Sequence, residues 1–381
     1  MLSVIGLSAV TVVALIMLWP RGPVVRSHSI AVTKTLGAEV VSVETQRCRF
    51  ALGNHCRVMT VKLLEGPDKG KRSSFVMTPV PGLSGPENGE RIRVLHTPPA
   101  PPRADVKLPP YQFADFDRRQ PMLWLTVGFV VLLVATGRLH GFRALAGLGV
   151  SLLILLKFVI PSILDGHSAV AVALTGAFAM MLITIPLCYG LRAKAIAAWL
   201  GTAVSLLLAV GLAWGFTHLA HLAGTSSEEA AFLSTADAKI SLQGLLLAGM
   251  VIGALGVLID LTVSQASTVI ALRRVNHSLG FQGLFRGALD VGHDHIAATV
   301  NTLVFAYAGA SLPVLLIFSI GGTPFTDAIN SEAVSEEVIA ALVGSIGLIA
   351  SMPITTALAA LLATRMTDTE LAHSAELVHA H

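Results

Sequence analysis

The chain has 381 residues, of which 54% are hydrophobic and 13% charged, and its formal net charge is +3. A soluble protein of ordinary make-up carries about 25% charged residues, so that class is excluded, and so are disordered, collagen-like and disulfide-dense secreted chains. A chain that crosses a bilayer several times remains.

A span needs roughly 20 mainly apolar residues. Eight stretches approach that length: 2–19, 121–137, 144–164, 168–189, 195–217, 241–262, 296–319 and 337–364. The first has no Lys or Arg before it and no small-x-small site after Trp19, so it reads as an anchor over 1–20 rather than a cleaved leader. Pro161, Pro186, Pro313 and Pro353 lie in or at the ends of later spans. They predict kinks that shape packing.

Residues 21–120 differ in character, holding 16 of the 26 Lys and Arg but 9 of the 23 Asp and Glu. Val, Ile and Thr partly alternate with polar residues over Ala38–Glu44, Arg57–Leu64, Arg72–Thr78, Arg91–Leu95 and Tyr111–Asp115. That alternation predicts strands. Gly66-Pro67-Asp68, the stretch from Gly82 to Gly89 and the Pro98–Pro102 run separate them as turns. The segment therefore predicts a small β-barrel or sandwich, an OB-like barrel being one form. Cys48 and Cys56 both fall here and could pair outside the cell, whereas Cys188 stands alone in a span.

Basic residues orient the spans. Arg138, Arg143, Arg192, Lys194, Arg273, Arg274, Arg286 and Arg365 follow alternate spans, while the opposite loops hold only Lys239. The positive-inside rule then puts both termini in the cytoplasm and 21–120 outside. Arg21 and Arg26, just after the first span, point the other way. Long domains translocate largely regardless of charge, so the later spans decide. The expected layout is an anchor, an extracytoplasmic β-rich domain over 21–120, a seven-helix bundle over 121–365 and a cytoplasmic tail over 366–381. The fold class is a polytopic α-helical membrane protein with about eight transmembrane helices.

Ionisable residues inside spans are costly and tend to serve a function or a partner. Gly253, Gly256, Asp260, Ser264 and Ser267 recur at spacings of three and four, so they share one helix face. The glycines predict close approach of a neighbouring helix. At the entry to the next span, Asp290, His293, Asp294 and His295 cluster, and Asn301 and Thr302 follow on the same helix. Carboxylates, imidazoles and a carboxamide suit a divalent cation or a proton relay, and equally an ion-pair network with Arg274 or Arg286. Lys157 is either a snorkelling cation or a counter-ion. His167, His218 and His221 read as interfacial, and His373, His379 and His381 as a solvated tail. No G-x-x-x-x-G-K-[ST], H-E-x-x-H or G-x-S-x-G motif occurs, so the chain carries no P-loop and none of the commonest hydrolase signatures. The basic segment lacks aromatic platforms for nucleic acid.

Two segments resemble the signature segments of the YibE/F family of bacterial multi-pass membrane proteins. One is Gly253 to Ser267, which looks like the pattern Gly-x-x-Gly-x-x-x-Asp-x-x-x-Ser. The other is Gly292 to Gly309, with Asp294, Asn301, Thr302, Leu303 and Tyr307 in matching places. His293 departs from the pattern, standing where an Arg often precedes the Asp. The resemblance implies a protein of the bacterial cytoplasmic membrane but supplies no substrate. The leading expectation is a transporter or permease with a proton- or cation-coupled site between the sixth and seventh spans. The rivals are an envelope scaffold that recruits a partner through the β domain, and a membrane-embedded metal enzyme. No cofactor is required, although a divalent cation fits the cluster. The expected partners are the bilayer, a small solute or ion, and an envelope protein or a second copy.

Overall fold

The computed structural model describes residues 2–21, 35–47, 55–77, 85–96, 109–190, 193–236 and 240–366. Cys48, Arg26, Arg192, Lys239 and the tail beyond Met366 lie outside the described residues. The chain divides into two compact units, 28–135 and 1–27 with 136–381.

The smaller unit is a five-stranded antiparallel sheet. Its strands are β1 (Thr35–Arg47), β2 (His55–Leu63), β3 (Arg72–Met77), β4 (Arg91–His96) and β5 (Tyr111–Phe116), in the order β3-β2-β1-β4-β5. Each expected strand is present within a few residues of its expected ends. The alternation that signals strands also fills the core: Leu36, Ala38 and Val40 of β1, Met59, Val61 and Leu63 of β2, and Ile92 and Val94 of β4 are buried together. The β1–β2 register slips between Val40 and Ser42, which bulges Val41 out of the ladder. The outer strands β3 and β5 also touch, so the sheet curls into a half-barrel. Arg93 fastens the end of β1. It donates to Thr35 O at 2.5 Å and to Glu65 Oε2 at 3.1 Å, and Glu65 also accepts from the Gly37 amide at 3.1 Å. Cys56 is disulfide-bonded and Cys188 is free.

The larger unit is helical. Its elements include α1 (Leu2–Met17), most of the kinked α2 (Arg119–Ile154), a π turn over Leu155–Val159 and α3 (Ile160–Leu164). There follow α4 (Ala169–Tyr189), α5 (Ala193–Leu219), α6 (Glu228–Ala236), α7 (Leu242–Val275) and α8 (Phe281–Ala310). The last are α9 (Leu312–Ile320), α10 (Phe325–Asn330) and α11 (Glu332–Ala363). Among the described residues, five helices are long and apolar enough to cross a membrane, or six if the bent pair α8–α9 is one span. The apolar stretch of α1, Ser3–Met17, is shorter than these.

The difference from eight expected spans has identifiable causes. The expected spans 121–137 and 144–164 lie in one helical run of 46 residues. Arg138 interrupts that run with φ 44° and ψ −124°. The expected span 296–319 bends by 56° between α8 and α9. Pro313 sits in the first turn of α9, where its missing N–H is least missed.

Helices α5, α7 and α11 form the centre of the bundle. They meet through small residues, as membrane helices do when backbones must approach closely. At Gly201 of α5 an added Cβ would lie 2.9 Å from Thr355 Cβ and 3.2 Å from Thr355 Cα of α11. Thr202 and Thr262 hydroxyls bond across α5 and α7 at 2.7 Å, both fully buried. At one end of the bundle, Glu332 Oε1 accepts from the backbone N–H of Ala223 at 2.7 Å and Gly224 at 2.9 Å. This clasp ties the turn after α5 to the start of α11. Trp19 packs on the buried Phe158 with ring centroids 5.9 Å apart, and Asp165 accepts from the Arg21 amide at 3.1 Å. These contacts seat the first helix.

Candidate functional site

Helix α7 starts at a capped end, because Ser241 Oγ accepts from the Gly244 amide at 3.1 Å. It ends with Arg273 and Arg274 in its last turn, where cations suit the negative end of the helix dipole. Arg273 also donates to Leu279 O at 2.8 Å and to His277 O, which closes the turn into α8. The two helices therefore form an antiparallel hairpin.

Two contacts set the relative depth of residues on this hairpin. Gln265 of α7 donates to Ala288 O of α8 at 2.6 Å. Farther along, a Cβ added at Gly253 would lie 3.3 Å from Tyr307 Oη. Asp260, between these points, faces the level of residues roughly one turn from Asp294. The two carboxylates thus share a depth, yet neither touches the other through a hydrogen bond.

The sequence-selected side chains of α7 and α8 can all be placed. Asp260 and Ser264 of α7, and Asp290, His293, Asp294, Asn301 and Thr302 of α8, are exposed on the surface of the chain. Ser267 and His295 are half-buried. Asp260, Asp290 and Asp294 have no hydrogen-bond or ion-pair partner among the described residues. Arg286 is likewise exposed and pairs with none of them. Thr302 Oγ1 is spent on its own helix, donating to Ala298 O at 2.9 Å. His295 presents a buried Nε2 with no partner. Lys157 is exposed on the π turn, with no counter-ion among the described residues.

The expected glycine seam is present only in part: a Cβ at Gly253 would stand 3.3 Å from Tyr307 Oη of α8, whereas Gly256 has no close neighbour among the described residues. Both are exposed, and a Cβ at Gly256 would meet nothing within 4 Å. The carboxylate of Asp260 is accordingly not enclosed by the chain. The α7–α8 face is open: it carries Gly249, Gly253, Gly256, Asp260 and Ser264 on one helix and Asp294, Ala297 and Asn301 on the other.

A closer approach occurs elsewhere, at a glycine that spacing did not single out. Gly292 of α8 is buried, and a Cβ there would lie 2.9 Å from Gln265 Oε1 and would also meet Met352 of α11. Gln265 is 2% exposed. This amide joins α7 to α8 beneath the open face and holds the carboxylates on it. The available signal was a carboxamide in an apolar run, which asks for a partner as a carboxylate does. The buried hydroxyls of Thr202, Ser205, Thr262, Ser351 and Thr355 were also missed.

Among the described residues no group of three or more His, Cys, Asp or Glu could hold a metal ion. Two histidines at the opposite end of the bundle have local partners. His167 Nε2 lies 3.9 Å from Asp165 Oδ2, and His218 Nδ1 lies 2.9 Å from Trp214 O.

The comparison with known families agrees with the signature segments. The model described as YibE/F-like protein matches residues 125–365. That stretch exceeds half of the chain, which therefore belongs to the YibE/F-like family. No curated protein and no solved structure matches it.

Proposed function

We propose that this protein is a multi-pass permease of the bacterial cytoplasmic membrane whose α7–α8 face handles a proton or cation coupled to movement of a small solute. The observation that carries the reading is the position of three unpartnered carboxylates on helices apolar enough to span a bilayer. An ionised carboxylate does not face hydrocarbon without a large penalty. The face must therefore be lined by water, a cation or another protein surface, and its glycines leave room for any of these. Asp260 and Asp294 serve as the carboxylates, Asn301 and Thr302 as neutral ligands, and His293 and His295 as relay groups.

The break at Arg138 supports two crossings within the 46-residue run. Straight helix of that length would extend about 70 Å, more than twice a hydrocarbon core of about 30 Å. With α1 as an anchor and α8–α9 as one bent span, eight crossings follow. The loop charges then put both termini in the cytoplasm and the half-barrel outside, and its strand order with β3 beside β5 suits an OB-like barrel.

The test compares proteoliposomes containing the wild type, Asp260→Asn and Asp294→Asn. The pH change on the inside is followed with a trapped dye after an outward or inward pH step. Both variants should lose most of the proton flux while remaining monodisperse. Wild-type flux in both would end the coupling idea. A scaffold reading draws on the separate core of the β unit. Removing residues 24–118 while the bundle stays folded separates the two: flux survives in a permease, whereas any phenotype of a scaffold disappears.

A further inference from the structure

Away from the open face, the ends of α8 and α11 line a half-open cavity of about 260 Å³ between α8, α9, α10 and the first turns of α11. Its wall includes Val304, Leu315, Val338 and Ala341, with the rings of Tyr307 and Phe325. No Lys, Arg or His lines it. One charged group does: Glu337.

Three glutamates begin α11, and they differ in how they are satisfied. Glu332 is held by the amides of Ala223 and Gly224. Glu336 accepts from Ser226 Oγ at 2.5 Å. Glu337 is half-buried on the cavity side and has no hydrogen bond or ion pair among the described residues. The nearby hydroxyl of Ser311 is already committed, donating to Tyr307 O at 3.1 Å.

A lone carboxylate in an apolar, aromatic-walled cavity calls for one kind of complement. The ligand must bring positive charge for Glu337 and apolar surface for the rest of the wall. A metal ion would find a single carboxylate and few other ligands. An organic ammonium finds both a counter-ion and ring faces, which attract cations within about 6 Å. The volume is below the roughly 300 Å³ at which drug-sized sites begin, so the ligand is small. We infer that this cavity binds a small organic ammonium with an apolar body, its cationic nitrogen on Glu337 and its apolar part against Tyr307 and Phe325. The ammonium could arrive as a free amine solute or as the headgroup of a lipid.

The experiment uses the full chain in nanodiscs of phosphatidylglycerol, with empty discs as the blank. The probe is benzyltrimethylammonium, followed by equilibrium dialysis, with its neutral carbon isostere neopentylbenzene as competitor. The wild type should bind the cation saturably. Glu337→Gln should weaken binding by about tenfold or more, equivalent to about 1.4 kcal/mol. Glu337→Asp, which keeps the charge, should recover part of it. Ala308→Leu, which fills the cavity and keeps the carboxylate, should also weaken binding. Asp260→Asn should bind as the wild type does, so the outcome is independent of the permease reading. Adding phosphatidylethanolamine to the discs separates the sources. Competition identifies a lipid headgroup as the occupant, and its absence identifies a free ammonium; either supports the site. Three results would overturn it: no saturable binding to the wild type, undiminished binding to Glu337→Gln, or equal competition by neopentylbenzene.

Discussion

Replacing Gly201 by Ala should push α5 and α11 apart. The new Cβ would lie 2.9 Å from Thr355 Cβ and 3.2 Å from Thr355 Cα, where ordinary contact begins at 3.4 Å. A backbone atom cannot rotate away, so the helices must move. Overpacking of this kind costs about 1–3 kcal/mol. Ala recovers about 1 kcal/mol over Gly through helix propensity alone. The same helix provides the control, because a Cβ at Gly211 meets nothing within 4 Å. Gly211→Ala should therefore be neutral or slightly stabilising. The difference between the two variants isolates the packing term, expected at about 1–3 kcal/mol. The assay is unfolding in mixed micelles of mild detergent and dodecyl sulfate, followed by far-ultraviolet circular dichroism. Adding Thr355→Ala to Gly201→Ala removes the Oγ1 nearest the new methyl and should restore part of the loss. If Gly201→Ala and Gly211→Ala unfold together, the close approach of α5 and α11 is wrong.

Two further outcomes follow from the half-barrel and the open face. Hydrogen bonds from Lys71 and then Tyr111 hold the Asp68 carboxyl below its ordinary 3.8. A carboxyl depressed in the folded state stabilises above its unfolded value, and that contribution is lost as pH falls through the folded one. Amide exchange protection in β2 to β5 should hold from neutral pH down to near 3.8 and decline below it, less steeply in Asp68→Asn; identical profiles would refute the link. On the bundle, Ala297 is exposed between Asp294 and Asn301. In a Cys188→Ser background, Ala297→Cys should react with a membrane-impermeant maleimide, while Leu207→Cys on an apolar face should not. Equal protection of both would remove the wet face.

Some of this structure was legible in the sequence and some was not, for physical reasons. The strands were legible because burial on a sheet alternates, and Leu36, Ala38 and Val40 mark one side residue by residue. The bulge at Val41 was not, since an extra Val satisfies any strand pattern. The spans were legible as apolar length, but length alone cannot say where a run breaks. The basic residues Arg138 and Arg143 marked the break between spans 121–137 and 144–164, but not that helix continues on both sides of it as one 46-residue run. Spacing grouped Asp260 with Gly253 and Gly256, and all three are exposed on α7. It could not say whether that group faces a neighbour, because a glycine stripe looks the same packed or bare. Gly201 and Gly292 are among the packed glycines, each identified by what stands opposite it, Thr355 and Gln265.

The polar residues of the bundle divide by how far their own helix can satisfy them. Thr175, Thr202, Ser345 and Thr356 each donate to the carbonyl four residues back, at 2.7–2.8 Å. A hydroxyl with that bond is cheap to bury, so these residues can sit in the tightest packing without implying a ligand. A carboxylate has no such recourse, because its helix offers no free donors in mid-length. Asp260, Asp294 and Glu337 accordingly have no partner among the described residues. Gln265 lies between the two classes, having found its acceptor in Ala288 O of the next helix. Its bond fixes the hairpin that carries the first two carboxylates. On this division the hydroxyls bonded to their own helix need no ligand, and the unpartnered carboxylates carry the proposed sites.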